Sequence, residues 1–144
     1  MVRSGSVFLA VAVASVLMAG CSTDSTGTGA ADTTAAAEAS PRLVGVDEFA
    51  TAIETSGVVT INVHVPDEGD LPGTDLSIPF DQIDRSEELP TDLDTPLAIY
   101  CRSGNMSADA VSDLDSMGYT NIVELDGGFD AWVTSGRTPL EPAP

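Results

Sequence analysis

The chain has 144 residues, with 23 acidic against 5 basic side chains and a formal net charge of −18, and none of the basic residues is lysine. Five scattered arginines, Arg3, Arg42, Arg85, Arg102 and Arg137, build no patch for a phosphate backbone, which excludes nucleic acid as a partner, and the net charge would be repelled by an anionic lipid surface. At 42% hydrophobic residues the chain is too apolar to be wholly disordered, and its length suits one domain.

Arg3 precedes an uncharged apolar stretch, Val7 to Ala19, that is too short to span a bilayer, so residues 1–20 read as an export signal. The stretch ends in Leu17-Met18-Ala19-Gly20-Cys21, which resembles the lipobox of bacterial lipoproteins, where small residues precede a cysteine that is lipidated and becomes the mature N-terminus. What this implies is a lipid anchor at Cys21 and a place at the cell membrane, on its extracytoplasmic face. A plain secretory signal with an incidental cysteine is the alternative. From Ser22 to Pro41 the chain is Ser, Thr, Ala, Gly and acidic residues with no large apolar side chain, so residues 21–41 are expected to form a flexible tether. Residues 42–144 then form one small domain.

If Cys21 is acylated, Cys101 has no partner in the chain, and an unpaired cysteine in a compartment that favours disulfides should be buried, metal-bound or chemically employed. With one free Cys and one His, His64, no metal site is expected.

Along the domain, Val46-Asp47-Glu48-Phe49 reads as a helix start with Asp47 as N-cap, ending before Gly57. Val58 to Val65 is β-branched and mostly apolar, as expected of a parallel strand covered on both faces. A polar loop, Pro66 to Thr74, leads to a short strand at Leu76 to Pro79 and a short helix around Phe80 to Asp84. Pro96 to Tyr100 is the next strand, and it runs directly into Cys101-Arg102-Ser103-Gly104-Asn105-Met106-Ser107. Met106, Ala110, Val111, Leu114 and Met117 then give an apolar stripe at helical spacing, closed by Gly118. Asn121 to Leu125 is the last strand and Phe129 to Thr134 a closing helix. Strands alternating with helices predict an α/β domain with a mainly parallel sheet flanked by helices.

In such sheets ligands bind beyond the carboxyl ends of central strands, and Cys101 stands at one, just before a helix N-terminus. Backbone N–H groups of a tight loop and the helix dipole favour an anion there, so a thiol at that place is favoured as thiolate. Gly104 frees the backbone to turn, and Arg102 is the fixed positive charge of the loop.

Tyr100-Cys101-Arg102-Ser103-Gly104-Asn105-Met106-Ser107-Ala108 resembles the active-site loop of the rhodanese-like sulfurtransferases, a cysteine after a sheet strand followed by Arg, any residue and Gly, then the helix. Leu71-Pro72-Gly73-Thr74-Asp75-Leu76-Ser77-Ile78-Pro79 is similar to that family's Pro-Gly turn and apolar-Pro step, and Leu125-Asp126-Gly127-Gly128-Phe129-Asp130-Ala131-Trp132 to its closing glycine pair, aromatic residue and tryptophan. The resemblance implies a three-layer rhodanese-like domain without cofactor. It also implies a thiolate, Cys101, that takes sulfane sulfur from a small donor such as thiosulfate, holds it as a persulfide, and passes it to a thiol or cyanide. Backbone N–H groups from Arg102 to Ser107 (Arg102, Ser103, Gly104, Asn105, Met106, Ser107) would stabilise the sulfur anion, and the Arg102 side chain would orient an anionic donor.

The chain departs from the family pattern in three places. Asn62-Val63-His64 stands where the family often has Asp-x-Arg, Asp70 where a His usually precedes the Pro-Gly turn, and Met106 where the thiosulfate enzymes carry a basic or hydroxyl residue. An apolar Met106 would bind a sulfonate less well. His64 reads as a structural residue, Trp132 and Phe129 as packing residues, Ser103 and Ser107 as helix-capping or loop-turning residues, and Asp67, Glu68 and Asp70 as a solvated acidic loop rather than a cation site. Two other functions share this type of fold. Phosphatases and arsenate reductases place an arginine after a five-residue gap from the cysteine, where this chain has Ser107. A catalytically silent binding or redox module tethered to the envelope would not need the Cys-Arg-x-Gly loop.

Overall fold

The computed structural model describes residues 40–141, so the expectations for residues 1–20, for Cys21 and for most of the tether lie outside the described residues. The elements in chain order are β1 (Arg42–Val44), α1 (Val46–Ile53), β2 (Val59–Asn62), β3 (Leu76–Ser77), a 3-10 helix (Phe80–Arg85), β4 (Leu97–Tyr100), α2 (Asn105–Met117), β5 (Ile122–Leu125) and α3 (Gly128–Thr134). The five strands form one sheet in the order β1-β5-β4-β2-β3, and every pairing is parallel.

Period-two alternation sorts the side chains of the buried strands onto two faces. Ile61 and Val63 of the β2 segment, Leu97, Ile99 and Cys101 of the β4 segment and Ile122 of β5 pack with Ala110, Val111 and Leu114 of α2 and Ile83 of the 3-10 helix. Val44, Ala98, Tyr100, Val123 and Leu125 turn the other way, against Phe49 of α1 and Trp132 of α3. All four residues of β4 are buried, which is why the strand reads as an unbroken apolar run.

The chain order fixes where a cleft opens. From β4 the connection runs through α2 to β5 on one side, whereas from β2 it runs to β3 on the other. The carboxyl ends of β2 and β4 therefore diverge at a topological switch point, the place where open parallel sheets bind ligands. Asn62 and Cys101 stand at these two ends.

Four local readings change. Arg42–Val44 forms a strand beside β5, too short for a periodicity signal and created by pairing alone. The α1 N-cap is Gly45 rather than Asp47, which lies in the first turn and pairs with Arg137 at 2.8 Å. The strand expected from Val58 to Val65 runs from Val59 to Asn62, although the Val63 N–H still bonds to the Tyr100 carbonyl at 2.9 Å. The helix after Pro79 is a 3-10 helix. Ser40, from the end of the expected tether, accepts the Ile122 N–H at 2.7 Å.

Candidate active site

β4 delivers Cys101 to the amino end of α2, and the turn between them depends on Gly104. That residue sits at φ 100°, in the left-handed region that favours glycine, and is the N-cap of α2. Its N–H donates to Cys101 Sγ at 3.1 Å. The Cys101 thiol in turn lies 3.4 Å from Ser107 Oγ as a donor. Sulfur is therefore seated in the first turn of a 13-residue helix, with a backbone N–H aimed at it, and Cys101 is only 1% exposed. Neither Ser103 nor Ser107 caps a free N–H of this helix, but Ser107 Oγ lies 3.1 Å from the Gly104 carbonyl as a donor and so ties the first turn back to the loop.

The other side of the loop is clamped by α3. The Phe129 and Asp130 N–H groups donate to the Cys101 and Arg102 carbonyls, both at 2.9 Å. Gly128 makes this approach possible: a Cβ there would stand 2.3 Å from the Cys101 oxygen and 2.7 Å from that of Arg102. The glycine pair read from the sequence as a family mark thus has a physical task, which is to let the start of α3 touch the backbone of the cysteine loop.

A small pocket opens in front of the sulfur, lined by Asn62, His64, Glu68, Gly69, Tyr100, Cys101, Arg102 and Phe129. Its mouth is held by charge. Arg102 Nη1 donates to Glu68 Oε1 at 2.6 Å and also contacts Oε2, and Arg102 Nε lies 3.6 Å from Asp130. His64 Nε2 meets the same Glu68 carboxylate at 3.1 Å. The one cation of the loop is therefore paired with two carboxylates rather than free for a donor. Met106 packs against the α2-side core, and Ser103 and Asn105 are exposed.

The acidic loop is not simply solvated. Asp67 Oδ1 accepts the Gly69 N–H at 2.9 Å, Glu68 pairs with Arg102, and Asp70 Oδ1 accepts from Tyr100 Oη at 3.1 Å and Asn62 Nδ2 at 3.0 Å. Tyr100 Oη also takes the Leu71 N–H at 3.0 Å and meets Thr74 Oγ1 at 2.7 Å. Burial pushes this phenol well above its ordinary range, against the pull of its Thr74 and Leu71 bonds, with Asp70 adding to the rise. Asp70, which replaces the histidine of the family pattern, thus belongs to a half-buried network with Tyr100 and Asn62, two residues of the pocket wall.

The sequence alone sets His64 aside as structural and Glu68 as part of a solvated loop, yet both line the pocket, and it gives Glu124 no role. Glu124 lies on β5, 8% exposed, and accepts from Ser107 Oγ at 2.6 Å. Burial raises its pKa, the Ser107 bond opposes that rise and Asp126 adds to it. A signal was present: Glu124 is the one charged residue in the apolar run Ile122-Val123-Glu124-Leu125.

A family model, the rhodanese-like domain, matches residues 47–135. Among curated relatives, the thiosulfate sulfurtransferase GlpE of Pseudomonas fluorescens is 34% identical over 86 residues, covering 59% of this chain and 79% of the relative. A sulfurtransferase of Allochromatium vinosum is 34% identical over 93 residues, covering 62% and 84%. Among solved structures, a rhodanese-like domain protein from Staphylococcus aureus superposes with a TM-score of 0.57 at 27% identity, covering 72% of this chain and 99% of that one. A rhodanese homologue from Thermus thermophilus gives 0.52 at 29% identity, covering 62% and 99%. With the parallel sheet, the cysteine loop at its switch point and this match over most of the domain, the chain belongs to the rhodanese-like domain family.

Proposed function

We propose that this domain is a sulfurtransferase that carries sulfane sulfur as a persulfide on Cys101. The observation that carries the reading is the seat of Sγ, 3.1 Å from the Gly104 N–H at the start of α2, where a sulfur anion gains from both the N–H and the helix dipole. In the reaction the Cys101 thiolate attacks the outer sulfur of a donor such as thiosulfate. The S–S bond of the donor breaks, sulfite leaves with the electron pair, and the outer sulfur stays on Cys101. A thiolate or cyanide then attacks that outer sulfur and releases the Cys101 thiolate. The N–H groups from Arg102 to Ser107 supply the cradle for the charge on either anion.

Thiosulfate is the substrate in the names of the GlpE relatives, and the Cys-Arg-x-Gly loop supports the same chemistry here. The chain is incubated with thiosulfate and weighed by mass spectrometry. Cys101 is expected to gain the mass of one sulfur atom and Cys101→Ala to gain none. No adduct with thiosulfate, polysulfide or another persulfide donor would refute the reading.

We also propose that the domain is lipid-anchored through Cys21 at the extracytoplasmic face of the membrane, on the strength of the lipobox-like residues Leu17 to Cys21. Labelled fatty acid should enter the protein expressed in a bacterium with lipoprotein processing. Cys21→Ser should abolish the label and release the protein from the membrane fraction.

A further inference from the structure

The proposed chemistry leaves unused a buried carboxylate behind the nucleophile. Glu124 is on the α2 face of β5, between Leu43 of β1 and Ile99 of β4 in register, and only 8% exposed. Its Oε1 is 2.6 Å from Ser107 Oγ, and Ser107 Oγ is 3.4 Å from Cys101 Sγ. The three groups form a continuous chain from the sulfur to the carboxylate, all of them buried.

A serine hydroxyl has one hydrogen, so it cannot donate to sulfur, to Glu124 and to the Gly104 carbonyl 3.1 Å away at once, and the carboxylate at 2.6 Å is the nearest of the three. With Glu124 ionised, the Ser107 hydrogen goes to the carboxylate and the oxygen lone pair receives the thiol hydrogen. With Glu124 protonated, its O–H donates to Ser107 and the Ser107 hydrogen turns to the sulfur. These arrangements differ by one proton passed along the chain. We propose that Cys101 and Glu124 share a single proton through the Ser107 hydroxyl, so that Glu124 is the internal acceptor of the Cys101 thiol proton.

The transfer balances. The S–H bond of Cys101 breaks and its proton joins Ser107 Oγ, while the hydrogen already on Oγ passes to Glu124 Oε1. The pair carries one negative charge before and after, so no new charge is buried, and the resulting thiolate receives hydrogen bonds from Ser107 and the Gly104 N–H. An ionised carboxylate and a thiolate separated by one hydroxyl in a buried site would repel, which disfavours loss of both protons. The upward displacement of the Glu124 pKa by burial and by Asp126 agrees with a carboxyl able to take the proton.

The groups facing the pair are few. Asp126 follows Glu124 on its own segment, Ser107 faces it from α2, and Leu43 and Ile99 lie beside it on the neighbouring strands. In front of Cys101 the pocket carries Arg102, His64 and Glu68. Glu124 acts through Ser107 and is therefore a positioning residue rather than one that touches the donor.

The inference rests on Cys101 being the nucleophile, but its test needs no sulfur donor. The full chain is alkylated with iodoacetamide across the pH range, and modification at Cys101 is read from its own peptide, apart from Cys21. A shared proton gives a two-step profile: an acid-side step as the pair loses its first proton and part of the population becomes thiolate, then a plateau, then a second step. Glu124→Gln leaves only one titrating group and should lose the acid-side step. Ser107→Ala keeps the carboxylate but cuts the chain, and should lose it as well. A purely structural role would scale the rate equally at every pH, and the far-ultraviolet circular dichroism of each variant checks that it is folded. A single step in the unmodified chain, or an acid-side step that survives either substitution, overturns the proposal. Failure to form the persulfide would refute the sulfurtransferase reading and leave this profile unchanged.

Discussion

Gly128 and Cys101 meet backbone to backbone: a Cβ on Gly128 would stand 2.3 Å from the Cys101 carbonyl oxygen. The contact ties the start of α3 to the loop that bears the sulfur, and the Phe129 N–H completes it at 2.9 Å. Gly128 also holds φ 56°, which an L side chain rarely adopts.

Gly128→Ala should therefore cost more than an ordinary surface change. The left-handed backbone alone is worth about 1–3 kcal/mol, and the overlap with two carbonyls forces the loop away. A thermal melt should show the loss of stability, and persulfide formation on Cys101 should fall in the fraction that remains folded. An unchanged melting temperature would show that the clamp is dispensable.

Glu68 binds Arg102 and His64 at the mouth of the pocket, so it opposes an anionic donor in two ways, by its own charge and by occupying the guanidinium. Glu68→Gln should speed sulfur loading from thiosulfate by about 2- to 5-fold at low salt, the size expected of an exposed ion pair. The gain should shrink as salt is added, because screening weakens both effects. Alkylation by uncharged iodoacetamide should change less. Equal acceleration of both reagents would indicate a wider opening rather than a charge effect.

Tyr100 Oη serves Leu71, Thr74 and Asp70 at once from a buried position. Tyr100→Phe leaves the Leu71 N–H without this partner and should cost about 1–3 kcal/mol in denaturant unfolding. The native phenol is held above its ordinary value of 10.0, so the folded state keeps its proton where the unfolded state releases it. Stability contributed by this group is complete below pH 10.0 and is lost as the pH rises beyond that value. Tyr100→Phe should remove that part of the alkaline loss.

For Glu124 the sign also follows from a raised native pKa. The native state holds its proton more tightly than the unfolded one, so this group favours folding in acid and opposes it as the pH rises through the unfolded and then the folded value. Glu124→Gln should therefore raise the melting temperature at neutral pH, with the gap closing in acid. Reversal of that trend would mean that the ionised carboxylate stabilises the fold.

Leu114 is fully buried at the contact of α2 with the sheet, so Leu114→Ala should destabilise the domain by about 2–5 kcal/mol through lost burial and the cavity left behind. Denaturant titration measures the loss directly.

Much of this protein is local and can be read along the chain. The apolar run Leu97 to Tyr100, the turn at Gly104 and the stripe from Met106 to Leu114 all express short-range rules of pleating, glycine freedom and helical spacing. They place a cysteine at a strand end before a helix without any knowledge of the sheet. β1 was not legible, because three residues hold no period and Arg42–Val44 becomes a strand only against β5. Asp47 was a plausible cap that lost to Gly45, since capping depends on where the preceding strand ends.

The acidic composition by itself offers no basic patch for a phosphate backbone and leaves Arg102 as the one positive charge of the cysteine loop. Only the tertiary structure decided what surrounds that charge and the sulfur. Glu68 lies 34 residues before Arg102, and Glu124 17 residues after Ser107, and no local rule relates such distant positions. The parallel sheet does so, because its crossovers bring the carboxyl ends of β2, β4 and β5 to one edge, where partners far apart in sequence become neighbours.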